Sequence, residues 1–126
     1  MPVITPVRVS TPLDVDQEIW KWTGMAQGDT GAPVLCNYKQ DKSVMWKAST
    51  PGTGTLAIEE SHDPAASGYF TAHDTRGPSS GDLTALALAT TFSGRQVLES
   101  AYLIRPNVNG GAGASGVDVW LFMRGR

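Results

Sequence analysis

Residues 117–123 read VDVWLFM, and their alternation decides the class of fold. Successive side chains on a strand point to opposite faces, so Val117, Val119 and Leu121 share one face and Trp120 and Phe122 share the other. A strand that is apolar on both faces has both covered, one by its own core and the other by a neighbour. Trp120 and Phe122 are therefore candidate interface residues, the alternative being a loop of the same chain lying over them.

The same pattern recurs upstream. Val44, Trp46 and Ala48 share one face of SVMWKAS (43–49), and Leu56 and Ile58 share one face of TLAIEES (55–61). Further strands are predicted at EIWKWT (18–23), APVLC (32–36), GYFTAH (68–73), LTALALA (83–89) and AYLIRPNV (101–108). With VDVWLFM they begin every 10 to 18 residues, separated by turn-forming composition drawn from 14 Gly and 8 Pro. That rhythm predicts an all-β protein, an antiparallel β-sandwich of jelly-roll-like type. Leu83, Leu86 and Ala87 also fit helical spacing, but Gly81 and Gly94 bracket the segment and strand is the preferred reading. Residues 1–17 carry Pro2, Pro6 and Pro12 and can join a sheet only at an edge. Their β-branched content (Val3, Ile4, Thr5, Val7, Val9) predicts an extended N-terminal arm ahead of a single domain spanning 18–126. Val3, Ile4 and Val7 join Trp120 and Phe122 as candidate interface residues.

Composition excludes several functions. The 126 residues are 40% hydrophobic and 17% charged, with a net charge of −2 and ten scattered Lys and Arg. No basic stripe is present to follow a nucleic-acid backbone or an anionic membrane, so neither is expected as a partner. A single cysteine, Cys36, allows no internal disulfide and no Cys-based zinc site. No apolar run reaches the ~18 residues of a membrane span, and the N-terminus lacks the pattern of a signal peptide. Synthesis in a reducing cytoplasm, without export by the standard route, is the expectation.

The chemical readings of the motifs fail in turn. In GMAQGDTGAPVL (24–35), Gly24 and Gly28 are one residue too close for a phosphate loop, and Asp29 stands where a lysine is required. Asp29-Thr30-Gly31 matches the signature of a homodimeric aspartic protease, but Ala26, Gln27 and Gly28 replace the apolar strand that should run into the aspartate. The preferred reading is a corner between strands, with the glycines taking positive φ and Pro33 opening the next strand. His62-Asp63 and His73-Asp74 offer metal-ligand chemistry at strand ends where turn chemistry is commoner, so no metal or other cofactor is expected. Trp20, Trp22 and Trp46 could form a sugar-stacking platform, although core packing is the usual fate of tryptophan in alternating strands. Gly110–Gly116 is a flexible connector, not a dinucleotide fingerprint.

Several of these residues together resemble a known group. Trp22-Thr23-Gly24 with Gly28-Asp29-Thr30-Gly31-Ala32-Pro33, then Ser43-Val44, Ile58-Glu59-Glu60-Ser61-His62-Asp63, Ile104-Arg105-Pro106, Val108 and Gly110-Gly111, is similar to small head proteins of tailed bacteriophages. The resemblance covers roughly residues 18–121, with Ser61-His62-Asp63-Pro64 in place of the Asn-Asp-Gly often found after the middle strand. Its best-known members resemble the cement, or decoration, proteins of short-tailed phages. The resemblance implies a non-enzymatic homodimer or homotrimer on the outer surface of the virion, holding major capsid protein subunits together. The alternatives are a sugar-binding module of a head fibre or tail and, more remotely, the aspartic protease built on Asp29.

Overall fold

A computed structural model describes residues 3–9, 17–36, 39, 41–77 and 79–125. Among them the chain forms twelve strands and no helix. In chain order these are β1 (Val3–Ile4), β2 (Val7–Val9), β3 (Gln17–Met25), β4 (Thr30–Gly31), β5 (Val34–Leu35) and β6 (Asp41–Thr50). They continue as β7 (Thr55–Ser61), β8 (Phe70–Thr71), β9 (Leu86–Ala87), β10 (Ser93–Val97), β11 (Leu103–Gly110) and β12 (Ser115–Arg124). One sheet runs β1-β4-β11-β7-β8, with β5 also on β11 and β9 also on β7; the other runs β10-β6-β12-β3-β2. All pairings are antiparallel except β1 with β4. The protein is an all-β sandwich.

The alternating runs fold as their pattern requires. In the five-stranded sheet Trp22, Trp46 and Val119 lie in register across β3, β6 and β12, as do Trp20, Val44 and Leu121, and both rows face inward. They meet Leu56, Ile58, Ile104 and Val108 from β7 and β11 in one buried core. Each buried indole finds an acceptor, Trp22 Nε1 donating to the Ala32 carbonyl at 2.9 Å and Trp46 Nε1 to that of Ala87 at 3.0 Å. Leaving either N–H unpaired in the core would cost ~1–3 kcal/mol.

Several expectations change. In GYFTAH only Phe70–Thr71 is strand. In APVLC only Val34–Leu35 is strand, and a separate short strand, Thr30–Gly31, precedes it; both pair with β11. In LTALALA only Leu86–Ala87 is strand, and Gly94 does not bound that segment but lies inside β10. The N-terminal arm, within residues 3–9, is two edge strands, β1 on one sheet and β2 on the other. Pro2, Pro12 and the rest of 1–2 and 10–16 lie outside the described residues. Finally, the Gly-rich connector is tied down: Gln27 donates to the Gly110 carbonyl, and Thr53 and Ala112 exchange hydrogen bonds.

Candidate functional site

The two outer faces of the sandwich differ in chemistry. On the seven-stranded sheet Arg105, Glu59 and Thr71 lie in one row across β11, β7 and β8. Arg105 Nε donates to Glu59 Oε1 at 2.9 Å, its guanidinium lies 3.6 Å from the centre of the Tyr69 ring, and Asn107 Nδ2 donates to the same carboxylate. The Glu59 carboxylate thus gathers two donors, while Asn107 Oδ1 and the Tyr69 hydroxyl are buried without a hydrogen-bond partner among the described residues.

The outer face of the five-stranded sheet is apolar. Pairing register places Val7, Lys21, Trp120, Met45 and Gly94 in one row across β2, β3, β12, β6 and β10. Val9, Ile19, Phe122, Ser43 and Gln96 form the next. Phe92, just ahead of β10, meets Trp120 edge to face with ring centroids 5.4 Å apart and is 55% exposed. Val7 is 67% exposed and Val9 36%, while Trp120 and Phe122 are half-buried among their neighbours. Cations cap the rings: Lys21 Nζ stands 4.7 Å from the Trp120 centroid and Lys47 Nζ 4.8 Å from that of Phe92. Asp118 orients this rim, 3.9 Å from Lys21 Nζ and accepting from the Gly24 amide at 2.9 Å, where β3 carries a bulge. Because Gly94 has no side chain, a depression opens between Phe92, Met45 and Phe122. The arrangement offers flat apolar area, rigid aromatic rings and a cationic rim, the composition of a contact surface.

Trp120, Phe122 and Val7 are thus brought onto one face. Val3, 62% exposed, sits on β1 of the opposite sheet, and Ile4 packs against the core, so neither joins that surface. The pattern had more to give: Met45 and Lys47 alternate with buried Trp46, and Lys21 with Trp20 and Trp22. Phe92 carried no such signal, because Ser93–Val97 does not alternate in hydrophobicity.

The other candidates are accounted for locally. Asp29 is buried, and its Oδ2 accepts from the Ala26 amide at 2.9 Å, closing the corner. Gly28 takes φ +89°, but Gly31 does not need positive φ; a Cβ there would stand 2.5 Å from Pro106 Cδ. The three-tryptophan platform is overturned, because Trp22 and Trp46 are each 1% exposed in the core and only Trp20 reaches the surface. His62 stacks on Phe70, and Asp63 accepts from the Ala65 amide and the Ser67 hydroxyl, as a turn residue does. Asp74 binds the Arg76 guanidinium through both oxygens. His73 lies between Glu99, on Nδ1, and Asp82, 3.2 Å from Nε2. Among the described residues no group of His, Cys, Asp and Glu is arranged to hold a metal ion. Burial, with smaller electrostatic effects, pushes the Cys36 thiol up to about 12.

No family of known proteins matches the chain, and no curated protein matches it. Among solved structures it is similar to a cupin domain (bp2299) from Bordetella pertussis Tohama I, at 11% identity over 99% of both chains and a TM-score of 0.42. It is also similar to the N-terminal cellulose-binding domain of β-1,4-glucanase C from Cellulomonas fimi, at 12% identity over 94% of this chain and 74% of that one, with a TM-score of 0.35.

Proposed function

We propose that the protein is a head decoration (cement) protein of a tailed bacteriophage. In this reading it seats the outer face of its five-stranded sheet on the outside of the capsid and stabilises contacts between major capsid protein subunits. It acts without catalysis, as a homodimer or homotrimer that is made in the host cytoplasm and remains on the virion. What carries the reading is that apolar face, with Trp120, Phe122, Phe92 and Val7 presented together on a rigid sheet. The resemblance of the 22–33, 58–63 and 104–111 segments to phage head proteins supports it from the sequence side.

The physics suits the role. A cement protein needs a stiff module, a contact area of about 800 Å² per partner and a few aromatic anchors. Burying a tryptophan contributes up to about 4–6 kcal/mol before entropy costs. Self-association adds avidity that one contact lacks.

The test is co-sedimentation with heads that lack the protein. The unaltered chain is expected to pellet with them in fixed ratio to the major capsid protein. Trp120→Ala and Phe122→Ala, folded by circular dichroism, are each expected to weaken attachment by about 2 kcal/mol, roughly thirty-fold. Equal attachment by folded variants would remove this face from the contact, and absence of the protein from particles of the parent virus would end the virion reading.

A further inference from the structure

A buried amine and a buried carboxyl face each other across the two sheets. Lys42 lies on β6 and Glu60 on β7, strands of opposite sheets. Both side chains are fully buried, with Lys42 Nζ 3.5 Å from Glu60 Oε2. That is long for a charge-assisted hydrogen bond, and neither Glu60 oxygen has a hydrogen-bond partner. A buried carboxylate normally has donors on its oxygens. The amine, in contrast, is held closely: it donates to the Lys39 carbonyl at 3.0 Å and to the Glu99 carbonyl.

We propose that Lys42 and Glu60 condense after folding into an intramolecular isopeptide bond. The ammonium first passes one proton to the carboxylate, giving an amine and an acid with no change in net charge. The nitrogen lone pair then bonds to the carboxyl carbon. The nitrogen gives up a proton to the departing hydroxyl as the carbon–oxygen bond breaks. One amide forms and one water leaves; no oxidant, reductant or third reactant is consumed.

The surroundings suit each step. Burial raises the Glu60 carboxyl to about 8 and neighbouring Glu99 raises it too, against the lowering pull of Lys42, so the neutral acid is the favoured form. The nearby nucleophile that could compete, Cys36, is held as a thiol. A dry site disfavours hydrolysis of the product, and holding the two groups side by side removes the cost of bringing them together.

The experiment is the intact mass of the purified full chain, followed by fragmentation of its protease digest. The expected result is a mass one water below that of the linear sequence and a branched peptide joining Lys42 to Glu60. Lys42→Met should keep the linear mass. A linear mass for the unaltered chain after prolonged incubation, or a water loss mapped elsewhere, overturns the bond. The measurement reads the chain alone, so its outcome is separate from that of head attachment.

Discussion

A Cβ added to Gly31 would stand 2.5 Å from Pro106 Cδ and 2.7 Å from Trp22 Nε1, the atom that donates to Ala32. A proline ring and a hydrogen-bonded indole are poor at giving way, so the glycine is there for space. Gly31→Ala is expected to cost about 1–3 kcal/mol through overpacking, read as a lower urea midpoint; an unchanged midpoint would mean the corner relaxes freely. Glu60 carries a different signature. Its unfolded carboxyl titrates near 4.5, whereas burial first, and then Glu99 against Lys42, lift the folded value to about 8. Between those values the folded chain holds a proton that the unfolded chain releases, so stability falls as pH rises, by up to about 1.4 kcal/mol per pH unit. An amide at that position cannot titrate. Lys42→Met, which leaves Glu60 free and without its lowering neighbour, should therefore lose stability as pH rises from about 4.5 through 8 and beyond, and the condensed chain should lack that loss. Urea midpoints across that range compare the two; a flat Lys42→Met profile would show that Glu60 does not bind the proton.

At the scale of the element, β10 shows how an unremarkable segment acquires a role from its neighbours. Ser93–Val97 pairs with β6 from Trp46 to Lys42 and ends on buried Val97, yet nothing in SGRQV alternates between apolar and polar. The opposite edge of that sheet is β2, so Val7 and Phe92 flank the face from its two sides. Gly94 leaves the depression beside Phe92 open, and a Cβ there would meet only the Val44 carbonyl, at 3.4 Å. Gly94→Leu should thus fold and fill the depression. The expected outcome is a melting temperature within a few degrees of the unaltered protein and roughly ten-fold weaker attachment to heads. Undiminished attachment would place the contact away from β10.

At the scale of the whole molecule, the N-terminal strands clamp the sandwich. β1 adds to one sheet and β2 to the other, Ile4 reaches the core, and the Ala32 amide donates to the Ile4 carbonyl at 2.8 Å. Removing residues 1–9 takes away two edges and a packed side chain, so the loss should be structural as well as functional. A drop of about 2–4 kcal/mol in unfolding free energy is expected, along with loss of the Val7 and Val9 contact area. A truncated chain of full stability would return these residues to the status of a free arm. The contrast between the faces belongs to the same scale. One face carries the Arg105–Glu59 pair with Asn107 on the same carboxylate, while the other presents rings and valines with lysines at their rim.

Periodicity alone determined the all-β class, the long strands at 43–49, 55–61 and 117–123 and the side of each strand that faces the core. An alternation of period two is local information, carried by adjacent residues wherever the strand ends up. It also separated Trp120 and Phe122 from the core, and turn chemistry explained the His-Asp pairs and Asp29. The two-residue strands at 30–31, 34–35, 70–71 and 86–87 were decided by tertiary structure, since only the backbone of β11 or β7 beside them makes them strands. So was the burial of Trp22 and Trp46 together, which removed the sugar platform. The approach of Lys42 to Glu60 was set in the same way: 18 positions apart in the sequence and on different sheets, they meet because the two sheets pack face to face.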